Sequence, residues 1–195
     1  MTILELLPIL LFHFVLTALP AAAATVYAAK RGVRSVPILL SIGLATTGLI
    51  AMASFWMYYA EPAAGKAFSV SIVVGSLAVL AVAIARREWW LDRATARQLA
   101  IPLGLWGCGA AFVLFLGFAH GGLSSPIATS ITRFSHPLPT DSEIPYFFAN
   151  WFYLHGHGGT PPVFPGEWLS SDRPPLQVGY VLAQRPRLWG NIELQ

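Results

Sequence analysis

Long apolar runs separated by short polar stretches occupy the first 120 residues of the chain. Four runs are long enough to cross a bilayer, which takes about 20 apolar residues in a helix. These runs cover residues 4–29, 36–60, 67–85 and 99–119. The second run ends in the aromatic cluster Phe55-Trp56-Met57-Tyr58-Tyr59, which suits a helix end in the headgroup layer. The pattern predicts an all-α integral membrane protein whose residues 1–120 form a four-helix transmembrane bundle.

The pattern changes after residue 120, where prolines and glycines interrupt every apolar stretch. Such residues break regular structure. Between them, residues 144–154 predict a short helix with Pro145 in its first turn, where proline is tolerated. A second short helix is predicted to begin near Leu176. Residues 121–195 are therefore expected to form an irregular tail with short helices.

Composition supports the membrane class and excludes several others. Charged residues make up 11% of the chain and hydrophobic residues 55%, whereas soluble domains carry about 25% charged residues. The net charge of +3 comes from basic residues at helix ends, so it does not indicate a nucleic-acid partner. The single cysteine, Cys108, excludes an internal disulfide and a thiolate metal site.

The basic residues also predict the topology, because cytoplasmic loops are enriched in lysine and arginine. The loops after the first and third runs hold seven such residues: Lys30, Arg31, Arg34, Arg86, Arg87, Arg93 and Arg97. The turn between the second and third runs holds only Lys66. The start of the chain carries Glu5 and no lysine or arginine, which argues against a signal peptide. We expect the N-terminus outside, the tail extracytoplasmic, and the protein in the plasma or inner membrane.

Two acidic residues, Asp141 and Glu143, open the first predicted tail helix. Carboxylates at a membrane surface can act as a general base or hold a divalent metal ion. The alternative is structural, because acidic residues at a helix N-terminus cap it and suit its dipole.

A second charged pair, Asp172 and Arg173, precedes two prolines. A guanidinium group matches the geometry of phosphate, so the pair is a candidate phosphate site. Pro174 and Pro175 restrict the backbone beside it. The alternative is a simple ion pair.

The histidines are weaker candidates for metal or cofactor binding. His155 and His157, with His136 as a third ligand, are a candidate metal site. Their spacing is not the helical i,i+4 pair of zinc hydrolases, and a flexible polar loop explains them better than a metal site does. His13 lies in a membrane run and is a candidate axial ligand for a haem or pigment, or a hydrogen-bonded packing residue.

The tail resembles part of a known enzyme superfamily. Arg133 is followed by the segment HPLPTDSEIP (136–145) and then by WLSSDRPPLQ (168–177). This order is similar to the first large outer loop of bacterial GT-C glycosyltransferases, which use polyprenyl-phosphate sugars. The resemblance implies sugar transfer at the outer face, with Asp141 or Glu143 as catalytic base. It also implies that the Asp172 segment forms a second catalytic motif, and that Arg173 and Arg133 bind the donor phosphate.

The resemblance covers residues 130–182 and departs from the family in two ways. The loop follows the fourth helix rather than the first, and the further helices that build the family's lipid and acceptor sites are not in this sequence. The sequence is therefore expected to be the front part of such an enzyme, with its independent activity open. The alternative is a non-catalytic small subunit of a larger respiratory, photosynthetic or transport complex in the bilayer.

Overall fold

The computed structural model of the chain describes residues 3–87, 92–119, 129, 132–133, 136–137, 140–158 and 175–188. The helices in these ranges are α1 (Ile3–Lys30), α2 (Val36–Ala60), α3 (Pro62–Ala85), α4 (Arg93–Ala119), α5 (Thr140–His155) and α6 (Pro175–Gln184). A 3₁₀-helix, Arg185–Leu188, continues α6. A two-residue strand β1 (Thr132–Arg133) pairs antiparallel with β2 (His136–Pro137).

The first three helices pack against one another as a bundle. Pro37 lies in the first turn of α2, where a missing N–H leaves no hydrogen bond unmade. The chain turns from α2 into α3 through a single residue, Glu61, whose extended backbone ends one helix and begins the next. Its side chain accepts a hydrogen bond from the Ala63 N–H at 3.4 Å. We call this end of the bundle the Glu61 end, and the opposite end, where α1 turns into α2, the Lys30 end.

Helix α4 begins at the Lys30 end with a polar cap. The Asp92 carboxylate accepts hydrogen bonds from the Thr95 N–H at 2.9 Å and from the Thr95 hydroxyl at 2.7 Å. These bonds, the one from the N–H first, hold the pKa of the Asp92 carboxyl below its ordinary value. Arg34 lies 3.8 Å from the same carboxylate, but both side chains are about half exposed, so the ion pair adds little stability.

The rest of α4 contacts the bundle sparingly. Leu99 packs on Ala29 and Leu39, and the Trp106 ring stacks on Phe14 with centroids 5.1 Å apart. Most other large apolar side chains of α4 are exposed: Ile101, Leu103, Leu105, Phe112, Val113 and Phe115. This helix therefore offers most of its apolar surface to whatever surrounds the bundle.

Helix α5 closes onto the Glu61 end through its last turn. Gly156 has a positive φ of 60° and lies close to the carbonyl oxygens of Tyr58 and Tyr59. The next residue, His157, donates its N–H to the Tyr59 carbonyl at 2.8 Å. Upstream, one face of α5 is buried against α2 and α6, where Phe148 and Phe152 join the largest apolar cluster of the described residues. The first tail helix is thus packed on the bundle.

Helix α6 lies directly against the second half of α2. Leu176 reaches to 4.0 Å from the position of a β-carbon at Gly48, and one turn later Gly179 contacts Ala51 and Phe55. The contacts advance along both helices in the same direction, so α6 runs parallel to α2 and ends at the Glu61 end. Ten residues make a helix about 15 Å long, half the thickness of a bilayer core.

The structure confirms the coarse prediction of a predominantly helical chain with helices that could cross a membrane. Three described helices are long and apolar enough to cross a membrane, within Val36–Ala60, Pro62–Ala85 and Arg93–Gly117. In α1 the comparable described segment, Phe14–Lys30, is shorter. The division into a bundle over 1–120 and a separate tail over 121–195 stays a prediction, and to it the structure adds that α5 and α6 pack on α2 and α3.

Candidate functional site

Arg185 is the largest fully buried side chain among the described residues, with 1% of its surface exposed. Its Nη1 donates to the Asn150 Oδ1 at 3.1 Å, and its guanidinium carbon lies 5.5 Å from the centre of the Tyr153 ring. Its Nε and Nη2 are buried and have no hydrogen-bond partner among the described residues. We call Arg185, Asn150, Tyr153 and the neighbouring Tyr58 and Ser69 the Arg185 cluster.

Helices α2 and α3 supply the hydroxyl groups of the cluster. Tyr58 is completely buried, and its ring lies so close to Gly65 that a β-carbon there would overlap it. Glycine at position 65 therefore admits the ring between the two helices. One turn later on α3, the Ser69 hydroxyl approaches that of Tyr58, but the two do not form a well-directed hydrogen bond, and both oxygens are buried without a partner.

The cluster carries positive charge without a described counter-ion. The Lys66 Nζ lies 4.5 Å from the centre of the Tyr153 ring, so two cations share one aromatic side chain. Burial lowers the pKa of the Arg185 guanidinium, but arginine starts so high that the group stays charged at neutral pH. The ion pair that the described residues do contain, Arg34–Asp92, lies at the opposite end of the bundle.

An apolar cavity of about 160 Å³ opens beside the cluster, between α1, α3 and the 3₁₀-helix. Ser69 and Pro186, the residue after Arg185, line it together with apolar side chains: Leu16, Val70, Val73 and Val74. A second cavity, between α1, α2 and α6, has only about 20 Å³, the room of a single water molecule. The first is therefore the larger of the two cavities described around these helices.

The acidic residues predicted from the sequence are only partly described. Asp141 and Glu143 lie in the first turn of α5, as expected for residues at a helix N-terminus, but their side chains are outside the described part. Asp172 and Arg173 lie entirely outside the described residues. Arg133 pairs with His136 in the β1–β2 register, and its side chain is not described. The catalytic and phosphate-binding roles of these residues stay predictions.

The histidines that the structure describes are held by aromatic and backbone contacts. The His155 ring lies 4.3 Å from the Trp151 ring, centre to centre, and His155 is exposed. The His157 Nδ1 lies 2.9 Å from the Tyr59 carbonyl oxygen. Within the described part, no group of three or more histidine, cysteine, aspartate and glutamate side chains is placed to hold a metal ion. His13 lies in α1, and its side chain is not described.

Comparisons with known proteins add no identification. No protein-family model matches the chain, and no curated protein and no solved structure is similar to it. The resemblance to GT-C glycosyltransferases therefore stays a prediction from the tail motifs.

The sequence prediction missed the Arg185 cluster. Arg185 follows the apolar stretch VGYVLAQ (178–184), and a charged residue after such a stretch usually marks a solvent-exposed helix end. The available signal was the apolar character of that stretch. An apolar helix face packs against a core, and Arg185, which follows the helix, is buried with that face.

Proposed function

We propose that the chain is a membrane module of the GT-C type, which transfers a sugar from a polyprenyl-phosphate donor at the outer face of the membrane. The Lys30 end is cytoplasmic and the Glu61 end is extracytoplasmic in this proposal, as the distribution of lysine and arginine predicts. All four long helices, α1 included, cross the membrane. Further transmembrane helices complete the chamber in which the donor and acceptor meet.

The start of α6 is the observation that supports this proposal. Pro175 begins α6, and the next residue, Leu176, is level with Gly48 in the middle of α2. Arg173 and Asp172 come two and three residues before Pro175 in the sequence, a stretch that spans at most about 11 Å. Charged residues within a membrane are costly in lipid and mark functional cavities. Short helices that start in the middle of the membrane are a common way to build such sites.

The proposed chemistry needs no nucleotide. A carboxylate, Asp141 or Glu143, removes the proton of the acceptor hydroxyl as it attacks the anomeric carbon of the sugar. The bond from that carbon to the lipid phosphate breaks, and the phosphate leaves with the electron pair. Arg173, with Arg133, stabilises the charge that develops on the leaving phosphate, and Asp172 orients Arg173.

The test is a transfer assay in membranes that contain the full chain. Radiolabelled polyprenyl-phosphate mannose and polyprenyl-phosphate arabinose are supplied, and label in acceptor glycans is measured. We expect transfer from one donor, and its loss in Asp141→Asn and in Arg173→Gln. Asp92→Asn, a carboxylate change at the opposite end, is the matched control and should keep the activity. Transfer that survives both tail substitutions would refute the assigned roles.

A second function is favoured by the open face of α4. A β-carbon added at Gly104 or Gly107 would meet nothing within 4 Å, and Cys108 beside them is exposed. Small residues let helices approach closely in a membrane, where packing rather than hydrophobicity drives association. The chain can thus serve as a non-catalytic subunit that packs α4 against a larger membrane protein.

The native mass of the gently extracted complex distinguishes the two functions. A subunit should co-purify with a larger membrane protein, and Gly104→Leu should release it, because leucine prevents close approach. The control is Gly75→Leu, which fills an equally open position on α3. A chain that stays alone and retains polyprenyl phosphate would contradict the subunit function.

A further inference from the structure

We infer that the Arg185 cluster is a binding site for a single oxyanion of the phosphate or carboxylate type. This inference does not rest on sugar transfer and holds for either function proposed above. It starts from the guanidinium itself, of which only one nitrogen, Nη1, has a described hydrogen-bond partner. A buried charge is normally paired and fully hydrogen-bonded, since water cannot compensate it.

The described residues around Arg185 offer hydrogen-bond donors and no negatively charged acceptor. The hydroxyls of Tyr58 and Ser69 are buried beside it without partners, and each can donate to an oxyanion. Lys66 adds a second cation across the Tyr153 ring. The described carboxylate nearest to Lys66 in sequence is that of Glu61, which is exposed and caps α3. Two cations and two unused hydroxyl donors favour an anion.

The cavity beside the cluster indicates how the anion enters. Ser69, which is 2% exposed and whose hydroxyl is buried, and Pro186, the residue after Arg185, both line it. A volume of about 160 Å³ equals roughly five water molecules, enough for a phosphate-sized group. The apolar side chains of α1 and α3 that form the other walls suit the hydrocarbon of an amphiphile.

Two sources can supply this chemistry: the headgroup of an anionic lipid, or a free anion from the aqueous phase. The test uses the full chain, delipidated in neutral detergent. Native mass spectrometry measures retention of dioleoyl phosphatidic acid and, for comparison, zwitterionic dioleoyl phosphatidylcholine. Thermal unfolding measures stabilisation by inorganic phosphate. Retention of phosphatidic acid alone identifies a lipid source, and stabilisation by inorganic phosphate identifies a free anion; either supports the site.

Variants decide whether the anion binds at the Arg185 cluster. We expect Arg185→Gln to weaken binding about ten-fold or more, as for a lost charge-assisted hydrogen bond. Ser69→Ala and Lys66→Gln leave the buried guanidinium in place and should weaken anion binding by smaller factors. These two variants keep the proposal testable if Arg185→Gln does not fold. Arg86→Gln, an exposed arginine at the other end of α3, is the matched control.

Two results would overturn the inference. One is that neither phosphatidic acid nor inorganic phosphate binds the wild-type chain above the level of the zwitterionic lipid. The other is that binding occurs but is unchanged in Arg185→Gln, Ser69→Ala and Lys66→Gln. In the first case a carboxylate of the chain itself is the partner of Arg185, and Arg185→Gln destabilises the fold without any effect of added anions.

Discussion

The contact between α6 and α2 depends on one glycine, which makes it directly testable. An ideal β-carbon at Gly179 would overlap the Ala51 carbonyl oxygen and lie 2.8 Å from its carbonyl carbon and 3.1 Å from the Phe55 β-carbon. The overlapped atoms belong to the backbone of α2, so no side-chain rotation can relieve the clash. In Gly179→Ala, α6 must therefore move away from α2 as a whole.

The magnitude follows from two opposing effects. Overpacking a filled site costs about 1–3 kcal/mol, and a backbone clash belongs at the upper limit. Alanine is favoured over glycine within a helix by about 1 kcal/mol. The expected net loss of stability is about 2 kcal/mol, or roughly a 30-fold smaller ratio of folded to unfolded protein. Gly75→Ala makes the same change on α3, where the added carbon meets nothing within 4 Å, and should stabilise by up to about 1 kcal/mol.

Unfolding by sodium dodecyl sulfate in mixed micelles, followed by far-ultraviolet circular dichroism, measures both variants. Hydrogen exchange locates the effect: we expect Gly179→Ala to lose protection in α6 before α3, because the clash separates α6 from α2 and leaves α3 packed on α1 and α2. If the two alanine variants have equal stability and α6 amides keep their protection, α6 does not pack on α2 through Gly179.

Three further predictions concern other contacts. Gly156→Ala should lower stability in the same unfolding assay by about 1 kcal/mol, because its φ of 60° is left-handed; an unchanged midpoint would contradict this turn. Hydrogen bonds lower the pKa of Asp92, so its stabilisation of α4 is present at neutral pH and is lost as the pH falls below about 4. Exchange at the Thr95 amide should rise over that acid range in the wild type, and be already high at neutral pH in Asp92→Ala. A Gly48→Cys and Leu176→Cys pair, with the native cysteine replaced, should be cross-linked by a short bifunctional thiol reagent, since the Leu176 Cδ1 lies 4.0 Å from the position of a β-carbon at Gly48; no cross-link would place α6 elsewhere.

The long helices could be predicted from hydropathy because the apolar composition of each segment is by itself enough to indicate a helix. The predicted range 36–60 matches α2, but α3 starts five residues before the predicted 67–85 and α4 six before 99–119. Hydropathy detects only the apolar part of a helix. The extra turns depend on polar caps, Glu61 for α3 and Asp92 for α4, whose effect appears only when their hydrogen bonds are seen.

The position of the tail helices could not be predicted in the same way. Short helices near 144–154 and 176–182 were expected, and α5 and α6 include both ranges. The packing of α6 on α2 depends on Gly179. In a sequence, a glycine indicates a break in regular structure rather than a close contact between helices. Likewise Arg185 is buried only because α6 is, and burial of a helix end is a property of the whole fold.

Helix α6 connects the two sites proposed for this chain. Its N-terminus follows Asp172 and Arg173 in the sequence, and its C-terminus leads into Arg185, so one ten-residue segment joins both in the sequence. If α6 is a rigid element, Gly179→Ala should weaken sugar transfer and anion binding together. Arg185→Gln should then affect only anion binding, and Asp172→Asn only transfer. If Gly179→Ala impairs one property and leaves the other intact, the two sites do not share α6 as their common support, and one of them depends on a different part of the fold.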